Sequence, residues 1–300
     1  MSAVPPTTTA PPPFPTDRGF SILGDLRVIV TDLLGARDLL FQLVRRDVTV
    51  KYKQAFFGFA WAVLIPLVVV MAGITVRLAM AHAGGRELST TQMASLAIKS
   101  VPWAFFVGCV NSTTLSLVAN MSLVTKVQFP REVLPLSAVL GQSVDSGIGL
   151  LVTLILLPFL GVSFTMQALW APVLLALLWM LALGLGLLLS AASLFFRDVK
   201  YLVQVFLTFG IFLTPVMLDA PMYGRVGCRV LMLNPVAPIL EGLRLSVIEH
   251  HNLLNPLAAP QGFPFWGPGT LAYVAAWSIG VLLLAAVAFH RAEERFAEAA

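Results

Sequence analysis

Apolar residues fall into six long runs: about Phe56–Ala81, Val101–Leu123, Leu134–Leu160, Trp170–Phe196, Tyr201–Leu218 and Leu271–Phe289. A helix needs about 20 apolar residues to cross about 30 Å of hydrocarbon. The pattern therefore predicts six transmembrane helices, the fifth being the shortest. Pro66 marks an expected kink in the first, and Arg77 near its end is placed to snorkel outward. Ahead of the runs, Asp32 to Gln54 reads as one amphipathic helix. Asp38, Gln42, Arg45, Arg46, Thr49 and Lys53 share one face, and Ala36, Leu40, Leu43 and Val44 share the other. Arg37, Asp47 and Lys51 interrupt the apolar side. Such a helix lies along the inner membrane surface.

The chain thus divides into a Pro-rich cytoplasmic tail over residues 1–30, an interfacial helix over 31–54 and a six-span domain over 55–300. The Pro- and Thr-rich opening, 1–17, is read as disordered. It lacks a charged stretch followed by an apolar one and does not read as a secretory signal. No internal repeat is evident, which argues against an inverted-repeat transporter.

Charge fixes the expected orientation. Arg45, Arg46, Lys51 and Lys53 run straight into the first apolar run, which marks a cytoplasmic border. Six spans from that start place both termini in the cytoplasm. Inside segments then hold thirteen of the 19 basic residues and outside segments hold six: Arg77, Arg86, Lys99, Arg225, Arg229 and Arg244. The segment Asp219–Gly269 is too long for a simple loop. After the turn signal Asn234-Pro235, Ile239, Leu240, Leu243 and Val247 recur at helical spacing with Glu241, Arg244 and Glu249 between them. This predicts external helices that sit in, or re-enter, the outer interface. Phe263, Phe265 and Trp266 read as an aromatic girdle before the last span.

Composition supports the same class. Hydrophobic residues make up 58% of the chain and charged residues 11%, and the mean hydropathy is +0.88. A soluble domain of this length could not hide that much apolar surface. The fold class is an all-α polytopic membrane protein. The net charge of +4 sits at membrane edges and does not point to nucleic acid. Cys109 falls inside a span and Cys228 in an external loop, so the two are not expected to pair. His250 and His251 follow Glu249, but no third ligand is in sight and no metal site is expected. There is no G-x-x-x-x-G-K-[ST] loop, G-x-S-x-G, H-E-x-x-H or C-x-x-C, and no catalytic residues are assigned.

Polar groups within spans are costly and need a partner or a purpose. Ser112, Ser116 and Asn120 recur every four residues in the second run. Gln142, Ser143, Asp145 and Ser146 cluster in the third, with Asp145 near its middle. These either line an aqueous path for a polar cargo or hydrogen-bond between helices. Ala182, Gly186 and Ser190 form a small-residue stripe that favours close helix packing. Two inner segments carry charge: Lys126-Val-Gln-Phe-Pro-Arg-Glu-Val-Leu-Pro135, and Phe196 to Tyr201. In the first, Phe129 and Pro130 between charges offer an apolar knob with a charged rim, consistent with either a docking surface or a plain loop.

The stretches RDVTVKYKQAFFGFAWAVLIPL, KVQFPREVLPL, FFRDVKYLVQ, Thr214-Pro215 and NPVAPILEGLR, in that order over about residues 30–290, resemble the landmarks of the membrane subunits of ABC-2 type polysaccharide exporters. These move O-antigen, teichoic acid, capsule or galactan precursors, and the chain is most similar to actinobacterial galactan exporters. The resemblance implies a homodimer in a bacterial cytoplasmic membrane, working with two copies of a cytosolic ATPase subunit. That partner carries ATP and Mg, and this chain carries no cofactor. The implied cargo is a polyprenyl-diphosphate-linked glycan.

By position, Lys126 to Pro135 matches the family's coupling helix. Lys126, Phe129, Pro130, Arg131, Glu132, Arg197 and Asp198 are the expected ATPase contacts. Arg45, Arg46, Lys51 and Lys53 are placed to attract the diphosphate at the inner mouth, a role that topology alone also explains. Ser112, Ser116, Asn120 and Asp145 are the expected channel lining, and Glu241 and Arg244 the external gate. The competing readings are an ABC-2 drug or lipid exporter, an integral-membrane glycosyl- or acyltransferase, and a passive scaffold for cell-wall enzymes.

Overall fold

A computed structural model describes residues 22–53, 60–83, 89–127 and 129–299. The opening tail, the start of the first apolar run, Arg86 and Gln128 lie outside the described residues. The N-terminal helix begins earlier than expected and is divided in two: α1 (Ile22–Gly35) and α2 (Arg37–Lys53) meet at a turn on Ala36. The tail reading therefore extended too far, to residue 30. Asp25 and Ile29, one helical turn apart, are buried. Leu33, the next turn along, packs against the core.

The next helices follow the apolar runs with shifted boundaries. The first apolar run forms α3 (Trp61–Ala83). The second forms α4 (Thr90–Ala119), which starts eleven residues before the predicted Val101. A capping box sets that start: the Ser89 hydroxyl accepts from the Gln92 amide, and the Gln92 side chain accepts from the Ser89 amide. The polar stretch around Ser95 and Lys99 hides this helical turn from a hydropathy reading, yet both residues are buried. Asn120 ends α4, and a short helix, α5 (Met121–Lys126), follows. Of the stretch matched to the coupling helix, Lys126 ends α5, Val133 to Pro135 open α6 (Val133–Phe159), and Phe129 to Glu132 between them are not helical.

Helix α7 (Trp170–Phe195), led by a 3-10 turn from Met166, agrees with the fourth run. The fifth run ends early. Helix α8 (Val199–Gly210) continues as a 3-10 turn to Leu213 and stops at Thr214, which is extended with φ −136° and ψ 152°. Pro215 forces that conformation on the residue before it. The helical part, Val199–Leu213, spans only about 22 Å at about 1.5 Å per residue. The outer segment forms α9 (Gly224–Met232), α10 (Val236–Val247) and a small antiparallel hairpin that pairs Leu257 with Trp266. The last helix is α11 (Pro268–Ala299).

Among the described residues, four helical stretches are long and apolar enough to cross a membrane: Thr90–Ala119, Val133–Phe159, Met166–Phe195 and Pro268–Glu293. Val70–Ala79 within α3 and Val199–Leu213 are shorter apolar stretches. Helix α4 lies at the centre, against α3, α6, α7, α8 and α10, and α11 packs on α7. Small residues permit the closest approaches. A Cβ on Gly184 would lie 2.8 Å from the Leu282 amide nitrogen, and one on Gly186 would meet the Thr113 side chain. Ser190 Oγ and Ser116 Oγ are 3.0 Å apart, so the stripe on α7 is a helix-packing surface. Phe159, Phe206 and Leu284 are exposed, as expected of side chains facing lipid tails.

Candidate functional site

All four residues expected to line the channel, and two of the four predicted inner-mouth cations, meet in one cavity. It has a volume of about 570 Å³ and lies between α2, α4 and α6. Helix α2 contributes Arg46, Asp47, Val48 and Lys51, α4 contributes Ser112 and Ser116, and Asn120 follows at its C-terminus. Helix α6 adds Ser137, Gln142 and Asp145. Asp47 and Lys51 broke the apolar face of α2 in the sequence, and they do so because they face this cavity. Arg45 and Lys53 are exposed and do not line it.

The cavity's charges are partnered across helices. The Arg46 guanidinium donates to Asp47 at 2.9 Å and to the Asn120 Oδ1 at 3.0 Å. Lys51 donates to one oxygen of Asp145, and the Tyr52 hydroxyl donates to the other at 2.5 Å. Burial, reinforced by the Asp145 carboxylate, pushes the Tyr52 phenol well above its ordinary pKa, so it remains a donor. Asn120 also donates to the Ser116 carbonyl at 2.9 Å, which fixes its oxygen toward Arg46. The serines of α4 divide between the two proposed roles: Ser112 and Ser116 line the cavity, and Ser116 also bonds Ser190 of α7.

A second constellation lies in the segment read as external. Glu241 and Arg244 do not project from an amphipathic helix, because every residue of α10 is buried. They belong to a buried ionic network drawn from four parts of the chain. Asp219, just past the break after α8, accepts from Ser95 Oγ at 2.5 Å, Lys99 Nζ at 2.6 Å and Arg77 at 3.2 Å. Arg244 lies 2.6 Å from Glu241 and also pairs with Glu249. Lys99, fully buried, stands 3.8 Å from Glu241. Arg77 does not snorkel: its guanidinium also donates to the carbonyls of Met217 and Gln92.

Burial alone would raise the Asp219 pKa, but Lys99, Arg244 and Arg77 outweigh it and hold the carboxyl below its usual range. Burial pulls the Arg244 pKa down, and Glu241, Asp219 and Glu249 reverse that and raise it. Sequence reasoning missed Arg77, Lys99 and Asp219 as members. The available signal was three acids, Asp219, Glu241 and Glu249, in one outer segment, with two of the counted outer cations, Arg77 and Lys99, in the other.

The expected aromatic girdle is also turned inward. Phe263 and Trp266 are buried, and Trp266 donates to the Leu253 carbonyl at 3.0 Å. Glu249 pairs with Arg244, and His250 contacts Ser163 and Thr165 at 3.3 and 3.2 Å. Cys109 and Cys228 are free and buried. Cys228 lies on α9 rather than in a loop, and burial raises its thiol pKa to about 11.

The expected docking residues separate into two groups. Lys126, Arg197 and Asp198 are exposed. Phe129 is half-buried against the core, and Pro130 is half-buried beside it. Arg131 and Glu132 turn toward α11. The Arg131 amide donates to Glu293 at 3.2 Å, and its guanidinium lies 6.0 Å from the Phe296 ring. Glu132 is buried 3.0 Å from His290 Nδ1. Glu132, His290 and Glu293 are close enough together to hold a metal ion, although they also satisfy one another and Arg131. Arg291 donates twice to Asp25 of α1, at 3.1 and 2.9 Å. The turn, α1 and the end of α11 are thus tied together.

The ABC-2 type transporter family model matches residues 38–248, from α2 to just past α10. The O-antigen export system permease protein RfbA of Myxococcus xanthus is 27% identical over 272 residues, covering 90% of this chain and 98% of that relative. RfbA of Klebsiella pneumoniae is 25% identical over 209 residues, covering 69% of this chain and 79% of that relative.

Proposed function

The chain belongs to the ABC-2 type transporter family, and from that premise we propose that it exports a polyprenyl-diphosphate-linked cell-envelope polysaccharide, of O-antigen or galactan type, across the cytoplasmic membrane. It is a multi-pass membrane permease and a transport subunit without an ATPase domain. In the proposed assembly it works as a homodimer with two copies of a cytosolic ATPase, which bind ATP and Mg. Lys126, Arg197 and Asp198 are the exposed candidates for that contact. Phe129, Pro130, Arg131 and Glu132 form the turn that passes the movement to α6 and α11.

The observation that carries this reading is the cavity under α2. Two cations and a wall of hydroxyl and amide groups, on helices far apart in sequence, converge on one space. Its volume falls within the range of about 300–1,000 Å³ usual for small-molecule sites. The cations suit a phosphate and the polar wall suits a sugar. Six spans with both termini inside fit the buried network as well. Arg77, Lys99 and Arg244 are neutralised among carboxylates. Only Arg225 and Arg229 then remain as exposed cations among the described outer residues, which sharpens the inside excess. In this reading α10, with Glu241 and Arg244, is the external gate, locked by the network.

The test is depletion of the protein in its native cell. The expected result is accumulation of lipid-linked glycan in the cytosolic leaflet, with a phosphate-loop ATPase co-purifying with the tagged permease. An unchanged distribution of the glycan between leaflets would overturn the cargo assignment, and purification without an ATPase would overturn the assembly.

A further inference from the structure

We propose that Asp145 is an internal stand-in for the cavity's anionic ligand: it occupies Lys51, and a phosphate-bearing head group enters by taking Lys51 from it. This rests on reading the cavity as the cargo site and adds how that site is held before cargo arrives.

Asp145 is the one charged residue in the 27 residues of α6. A carboxylate in such a helix is costly unless partnered. Both of its partners come from α2: Lys51 on one oxygen and the Tyr52 hydroxyl on the other. The pair is asymmetric. The Asp145 side chain is 12% exposed, whereas that of Lys51 is 51% exposed at the rim. A pair whose cation stands half in solvent is weaker than a buried one and can be exchanged. A diphosphate carries more charge than one carboxylate and presents oxygens to Lys51 and Arg46 together, so it competes effectively for both.

Arg46 is held in a similar provisional way. It is shared between Asp47 and the neutral Asn120 oxygen, and its side chain is 45% exposed. When Lys51 leaves, Asp145 keeps the Tyr52 hydroxyl and is not left bare. The exchange therefore leaves the Asp145 carboxylate with one of its two α2 partners. In exchange terms, only the Lys51–Asp145 pair between α2 and α6 is given up when the ligand enters, and the Tyr52–Asp145 hydrogen bond keeps the two helices joined.

The experiment measures binding of two probes, inorganic pyrophosphate in solution and a polyprenyl diphosphate in the bilayer, to the full chain in lipid nanodiscs. Asp145→Asn preserves shape and the acceptor for Tyr52 while removing the competing charge. It is expected to tighten binding about two- to fivefold, the scale of an exposed ion pair, and the gain should shrink at high salt. Lys51→Gln should weaken binding, and adding Asp145→Asn to it should restore nothing. Asp145→Ser repeats the test if the asparagine variant does not purify.

Tightening toward either probe supports the exchange, and the probe that responds identifies whether the ligand comes from water or from the bilayer. If Lys51→Gln weakens binding but removal of the Asp145 charge leaves it unchanged or weaker, the stand-in role is wrong and the cargo site survives. If neither probe binds any form, the cargo reading of the cavity fails and takes this inference with it.

Discussion

Replacing Lys99 with methionine tests whether the outer network is a charge-balanced lock. Arg77, Lys99 and Arg244 face Asp219, Glu241 and Glu249, three charges against three. Lys99 is fully buried, 2.6 Å from Asp219 and 3.8 Å from Glu241. Methionine keeps most of its length and volume but removes the positive charge, which leaves the six-group network one negative charge in excess, with Asp219 and Glu241 buried and Glu249 41% exposed at its edge. Removing one partner of a buried pair costs about 3–5 kcal/mol, because the other charge stays buried and uncompensated. A loss of that size corresponds to a fall of roughly 10 °C in melting temperature, read by thermal unfolding of the purified protein in detergent. Asp219→Asn in the same chain removes the surplus charge. The double variant should recover at least about 1 kcal/mol relative to the sum of the single losses. If Lys99→Met melts within about 2 °C of wild type, or if the two losses simply add, the network is not a balanced lock.

Two further predictions test the packing and the ATPase contact. Gly184→Val forces a side chain against the backbone of Leu282, where a Cβ already stands 2.8 Å from the amide nitrogen. It should cost about 1–3 kcal/mol or more by overpacking, whereas Gly280→Ala, with nothing within 4 Å, should not lower the melting temperature and should raise it slightly, because alanine is the better helix former. Lys126→Glu combined with Arg197→Glu reverses two exposed charges and should reduce ATPase co-purification severalfold, with stability within about 0.5 kcal/mol of wild type. Phe129→Asp is a poorer probe of docking, because Phe129 packs against the core and its loss should lower stability as well.

The site is partly legible in the sequence. Ser112, Ser116 and Asn120 stood out through four-residue spacing, and Asp145 as a carboxylate in an apolar run, because both signals are local. That Lys51 would meet Asp145 was not legible, since the two are 94 positions apart. The only trace was a lysine on the wrong face of an amphipathic helix. Glu132 and Arg131 looked like surface contacts because their neighbours are charged, yet α11, about 160 residues later, covers them.

By itself the sequence determined the membrane class, the helical runs and the asymmetry of basic residues, since length and hydropathy are properties of consecutive residues. Only the tertiary structure decided which charges stay in solvent. Lys99 and Asp219 are 120 positions apart, and Arg77 and Asp219 are 142 apart. Each would be prohibitively costly to bury alone. Burial becomes tolerable when packing of α3, α4 and α10 around the break at Thr214-Pro215 delivers opposite charges to the same place, and no local pattern in the chain encodes that meeting.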